Sequence, residues 1–161
     1  MIIIGIDPGT EKTGFGIIKI KDKKAEAINW GCILTESKNS DSQRLVKINR
    51  EISKLILKYK PNYVAIERLF FFKNLKTALP VSQAKGVILL AIAKKKIPIY
   101  EFTPLQVKMT ITGYGRAEKK QVQKMIENLL KIKIKQDDAA DALGIALCCF
   151  LKQVAKKSCL T

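Results

Sequence analysis

The chain lacks histidine altogether and has only four cysteines among its 161 residues. Cys32, Cys148, Cys149 and Cys159 show no CxxC spacing, and no histidine can complete a tetrahedral zinc site. They read as free thiols of a cytoplasmic protein. No apolar run approaches the roughly 20 residues that a bilayer requires, so a membrane partner is not expected. The start of the chain has neither a basic leader nor a small-residue cleavage pattern, and Ile2–Ile6 reads instead as a buried strand. There are no internal repeats and no low-complexity segments or linkers, so residues 1–161 are expected to form one domain.

Acidic residues are the other scarcity. Fourteen Asp and Glu stand against thirty Lys and Arg, a net charge of +16. Such a surplus fits a polyanionic partner bound through counterion release, although a lysine-rich composition alone gives the same sign. Hydrophobic residues make up 47% of the chain, enough to build a real core.

Patterning gives the expected elements. Ile2–Asp7 is continuously apolar, as a strand covered on both faces would be. Strands near Thr13–Ile20 and Ala25–Leu34 follow as an antiparallel meander. An amphipathic helix spans about Gln43–Tyr59, and Tyr63–Ile66 is a fourth strand ending at Glu67. A largely apolar helix covers Leu79–Lys94 with Pro80 in its first turn, and a fifth strand runs from Ile97 to Phe102. Thr103-Pro104 opens a short helix; further helices cover Ala117–Lys131 and Asp138–Lys152. The class is α/β with a five-stranded mixed sheet, strands 1–3 antiparallel and the later ones parallel, flanked by helices.

With acids so few, their positions are informative. Asp7 ends the most apolar strand, Glu67 ends another, and Asp138 and Asp141 share one helix face. From Ala139 to Leu151, Asp141 is the one charged residue. Buried unpaired carboxylates are costly, and several together repel unless a cation intervenes. Hard divalent ions prefer such oxygen ligands, so the four suggest a Mg²⁺ or Mn²⁺ site at which two ions flank a phosphate. Bland readings stand beside this one. Asp7-Pro8-Gly9 also suits a turn, Glu67 can pair with Arg68, and one of Asp137 and Asp138 is expected to cap the last helix. Asp141 is the hardest to explain structurally. On a helical wheel Lys120, Lys124 and Lys131 share the polar face, whereas Lys119 falls towards the apolar stripe and is better aimed at a ligand than at bulk water.

These acids sit within motifs that resemble the RuvC family of Holliday junction resolvases. The segments are Ile4-Gly5-Ile6-Asp7-Pro8-Gly9-Thr10 with Thr13-Gly14-Phe15-Gly16, Ala65-Ile66-Glu67, Ser82-Gln83-Ala84-Lys85-Gly86-Val87, Gln106-Val107-Lys108, Gly113-Tyr114-Gly115-Arg116-Ala117-Glu118-Lys119, Gln121-Val122-Gln123, and Asp138-Ala139-Ala140-Asp141-Ala142-Leu143. They occur in the family's order and cover nearly the whole chain. The resemblance implies an RNase H-like fold, a homodimer through the helix at Ser82–Ala93, and a Mg²⁺ site at Asp7, Glu67, Asp138 and Asp141, where Mn²⁺ substitutes and two ions are expected. It implies paired symmetric nicks in four-way junction DNA, leaving 5′-phosphate and 3′-hydroxyl ends, with a branch-migration motor complex as a further partner. Lys108 and Lys119 match lysines that contact phosphate near the cut, Lys119 with a catalytic part. Phe70 would stack on bases opened at the junction centre, or pack beside Phe71 and Phe72. Arg68 and Arg116 are further candidates for DNA contact.

Two rivals remain at this level. Asp7-x-Gly9-Thr10-x-x-Thr13 also looks like the first phosphate loop of actin-like and sugar-kinase-like phosphotransferases, which need a second lobe that 161 residues do not provide. A non-catalytic junction-binding module would explain the charge but not the carboxylate set.

Overall fold

A computed structural model describes residues 1–68 and 75–158, leaving aside the side chains of 75–77 and 154–158. Five strands form one sheet in the order β3-β2-β1-β4-β5. β1 (Ile2–Asp7), β2 (Lys12–Lys21) and β3 (Lys24–Leu34) are the antiparallel meander. Its tight second turn places Asp22 and Lys23 at φ 49° and 60°, the left-handed pair whose twist matches that of the flanking strands. β4 (Tyr63–Glu67) lies parallel to β1, and β5 (Ile99–Phe102) parallel to β4. The mixed sheet is as expected.

Five helices cover the two faces. α1 (Asp41–Tyr59) starts two residues earlier than its apolar spacing indicates, because Ser40 and Gln43 close a capping box. With α2 (Leu75–Ala93) it packs on Ile4, Ile6, Ile17, Val64 and Ile66. α3 (Pro104–Thr112), α4 (Lys119–Leu130) and α5 (Asp137–Ser158) build the core of the other face with Ile3, Ile18 and Ala65. Strand side chains alternate between faces, so the odd-numbered positions of β1 and β4 point towards α5.

Two expectations are corrected. α2 begins four residues before Leu79, so Pro80 lies inside it rather than in its first turn. The absent N–H there forfeits one helical bond, which the surrounding packing tolerates. α4 is shorter than expected, with Glu118 as its N-cap and Lys119 its first residue.

α5 approaches the sheet unusually closely because glycines underlie it. A Cβ at Gly5 would collide with the Ala142 carbonyl oxygen, and one at Gly14 with the Asp138 carbonyl oxygen. From Ala142 to Phe150 every residue of α5 is buried, so the helix cannot rise off the sheet without exposing an apolar surface.

Candidate active site

The register brings two acids together. β1 and β4 pair in parallel through Ile6 and Ile66, so the next residue on each, Asp7 and Glu67, stand side by side at the same edge. Both are odd-numbered positions facing α5. Asp7 pairs with Gly14 across β2, and Gly14 lies under the Asp138 backbone. The close seat of α5 therefore delivers Asp138, and Asp141 one turn later, to the same end of the sheet.

The electrostatics record this convergence. Burial, and then the hydrogen bond and charge of Glu67 with the further charges of Asp141 and Asp138, push the Asp7 carboxyl up to about 9. Glu67 is also raised, first by burial and then by Asp141, against the lowering effects of its hydrogen bond to Asp7 and of the Lys85 and Lys119 charges. Two buried carboxyls placed together oppose each other's ionisation, since like charges repel. Asp141 is instead held by Lys119, whose Nζ lies 2.9 Å from its Oδ2 and 3.7 Å from Asp137 Oδ2. Burial opposes the charge on Lys119, but the bond to Asp141 and the charges of Asp137 and Asp138 raise its pKa overall.

Among the described residues, no three acidic, cysteine or histidine side chains form a ready-made cation cage. The Lys119 ammonium neutralises Asp141 instead. The donor set nonetheless fits a hard divalent ion. It is all oxygen, it is partly buried, and the Asp7 and Glu67 carboxyls within it are pushed up by burial and by neighbouring negative charge, a penalty that a cation relieves.

A cleft of about 240 Å³ opens beside the acids, lined by Glu67, Asp141, Lys108, Lys119 and the apolar Val107 and Ile145. Lys108 is half-buried on α3, which Thr103 caps by accepting from Gln106 N. Both expected lysines thus line one cleft with Glu67 and Asp141, whereas Asp7 and Asp138 are not among its lining residues. Arg116 is exposed in the turn before α4. Arg68 is engaged elsewhere, its Nε 3.4 Å from Glu101 Oε2. Phe70 lies outside the described residues, as do Phe71 and Phe72.

The expected cap on α5 is corrected. The Ala140 N–H donates to the Gln136 carbonyl, which makes Gln136 the capping position and puts Asp137 and Asp138 in the first helical turn. Negative charge is favourable there because unpaired N–H groups gather at a helix start. Asp138 also accepts from the Cys32 thiol at 3.9 Å.

Pattern reading missed the supports. The Thr13 hydroxyl donates to the Gly9 carbonyl at 2.6 Å, and that of Thr35 to the Thr10 carbonyl at 2.6 Å. Arg44 Nε in turn donates to Thr35 Oγ1 at 2.9 Å, bracing the loop that follows Asp7. Lys85, a lone charge in the apolar part of α2, was legible by the logic that singled out Asp141.

Comparison with known proteins accords with this geometry. A family profile described as crossover junction endodeoxyribonuclease RuvC matches residues 3–149. The crossover junction endodeoxyribonuclease RuvC of Alkaliphilus metalliredigens is 52% identical over 150 residues, spanning 92% of each chain. That of Petrotoga mobilis is 47% identical over 150 residues, again 92% of each. Thermus thermophilus RuvC superposes with a TM-score of 0.88 at 30% identity, over 96% of this chain and 97% of that one. The T. thermophilus RuvC in complex with Holliday junction substrate gives a TM-score of 0.86 at 27% identity, over 96% of each. The RNase H-like fold is therefore the fold of this chain.

Proposed function

The chain belongs to the RuvC family of crossover junction endodeoxyribonucleases, and from that premise we propose that it resolves four-way DNA junctions by divalent-cation-dependent hydrolysis at the Asp7 end of the sheet. One observation carries the assignment: the acids that end two separate strands, Asp7 and Glu67, stand side by side, with Glu67 lining one cleft with Asp141 and its partner Lys119. A phosphate-binding module has no use for such a cluster. The coarse activity, a crossover junction nuclease, follows from the relatives.

Asp7, Glu67, Asp138 and Asp141 would hold Mg²⁺, with Mn²⁺ as a substitute and two ions as the preferred stoichiometry. Bound divalent ions supply Lewis-acid polarisation of a phosphodiester and lower the pKa of coordinated water. The chain's own groups do the rest. Glycine contacts hold β1 and β2 close under α5, which brings Asp138 and Asp141 to the end of the sheet where Asp7 lies. Lys119 pairs with Asp141; with that carboxylate holding the ion, it would be free to neutralise charge on a phosphate, and Lys108 reaches the same cleft from α3. Water adds to phosphorus and the bond to the 3′ oxygen breaks, leaving 5′-phosphate and 3′-hydroxyl ends. Phe70 is assigned to stacking at the junction centre, and Arg116 and Arg68 to the DNA surface, Arg68 after exchanging Glu101 for phosphate.

A homodimer fits a junction with two equivalent strands to cut. Its support is the outward stripe of α2, where Leu79 is 67% exposed, Leu90 is 50% exposed, and a Cβ at Gly86 would meet open space. A branch-migration motor is a further partner in this reading, the cytoplasm the compartment, and residues 1–161 one nuclease unit. No helix among the described residues is long and apolar enough to cross a membrane.

The test is nicking of a synthetic four-way junction in Mg²⁺ with the cuts mapped on each strand. Paired nicks on opposed strands, with linear duplex nearly untouched, are expected. ATP hydrolysis without any cutting would replace the proposal with a phosphotransferase.

A further inference from the structure

Lys85 is 13% exposed, and no other charged residue lies between Thr77 and Ala93 of α2. A buried ammonium is costly unless every donor finds a partner. Its Nζ donates to Glu101 Oε1 at 2.9 Å and to the backbone carbonyl of Glu67 at 3.1 Å. Glu101 receives Arg68 Nε at 3.4 Å on its other oxygen, and the Arg68 N–H donates to the Phe102 carbonyl at 2.8 Å. The end of β4 is thus tied to both β5 and α2.

Glu67 is the last residue of β4 and lies one position past the last β1 partner. Beyond that point the β1 ladder no longer sets the peptide plane. β5 holds the N–H side of that peptide, through Arg68 and the Phe102 carbonyl, and Lys85 holds its carbonyl side, so the two together fix the plane from which the Glu67 side chain departs. Lys85 reaches the carbonyl from the α2 side of the sheet, while the Glu67 carboxyl faces α5 and the cleft. Lys85 is absent from the residues lining that cleft; beyond the through-space effect of its charge on Glu67, its contact with the site is the bond to the Glu67 backbone.

We propose that Lys85 is a positioning residue for Glu67, aiming this carboxylate at the cation site by clamping its backbone carbonyl to Glu101. The inference rests on the cation-site reading above. It assigns Lys85 no contact with DNA.

The test uses the full chain and two readouts. Single-turnover junction cleavage is measured at saturating enzyme, with junction affinity in EDTA determined alongside, and Mn²⁺ affinity is measured on the protein alone by electron paramagnetic resonance. Lys85→Met keeps the apolar stem. It is expected to slow cleavage and weaken Mn²⁺ binding by roughly tenfold or more, the usual effect of removing a group that orients a ligand. Junction affinity should move less than about twofold, in contrast to loss of a phosphate contact. Lys85→Arg is expected to restore both readouts. If Lys85→Met does not fold, Glu101→Gln, which frees the ammonium, should give the same pattern more weakly.

Wild-type cleavage and Mn²⁺ affinity in Lys85→Met would overturn the proposal, and so would a loss confined to junction affinity. If wild-type protein does not cut junctions, the nuclease reading fails, and the Mn²⁺ titration still decides the role of Lys85.

Discussion

Asp7 shows how a single position combines two opposed demands. It ends a strand whose Ile3, Ile4 and Ile6 are essentially inaccessible, yet it carries an acid that burial and three neighbouring carboxylates drive towards the neutral form. Its folded-state pKa of about 9 lies above the ordinary 3.8, so between those values the folded chain binds more protons than the unfolded one. Stability must then fall as pH rises through that window. In EDTA, the melting temperature of the wild type is expected to drop between about pH 6 and about pH 9, with a smaller drop in Asp7→Asn. Identical pH profiles for the two proteins would mean that Asp7 is not the strained group. Asp141 was legible in sequence because nothing else in an apolar helix explains it. The roles of Asp137 and Asp138 were not, because two adjacent acids at a helix start satisfy capping statistics equally well. The Ala140–Gln136 hydrogen bond separates capping from first-turn placement, and no residue pattern encodes it.

At the scale of elements, the site depends on how near α5 lies to β1 and β2. Gly5, Gly14 and Gly16 leave room for helix backbone where any side chain would collide. Gly14→Ala is expected to cost about 2 kcal/mol in urea unfolding, the scale of overpacking in a core, and to remove cutting by lifting Asp138 away from Asp7. Unchanged stability would show that α5 has slack. Strand and helix identities were readable because hydrophobic patterning separates the two types over runs as long as α1 and β1. The order β3-β2-β1-β4-β5 was not, since pattern says nothing of which strands are neighbours. The start of α2 was not. Pro80 signals a first turn, but the helix continues upstream of it, a tertiary override that local propensity cannot register. The clamp by Lys85 was likewise hidden, since its partners lie on β4 and β5, and sequence spacing carries no information across strands.

For the molecule as a whole, the charge of +16 and the single acidic cluster divide the labour. In the proposed reading, the basic surface draws in a polyanion and the acids reserve one spot for a cation. Junction binding in EDTA is therefore expected to weaken by roughly three orders of magnitude between about 50 and 200 mM salt, as for a protein with roughly six to ten phosphate contacts. A flat salt dependence would assign the lysines to solubility alone. Composition pointed to nucleic acid, but motif order, not charge, distinguished a junction nuclease from the other proteins that such a surplus allows.

Convergence of acids from β1, β4 and α5 on a divalent cation at the cleft is the claim from which the rest follows. Comparing Asp7→Asn with the wild type in one assay, junction cleavage in Mg²⁺ and junction affinity in EDTA, tests it most directly. Cleavage lost by at least about a thousandfold with affinity unchanged is the predicted result. Normal cleavage by Asp7→Asn would contradict it.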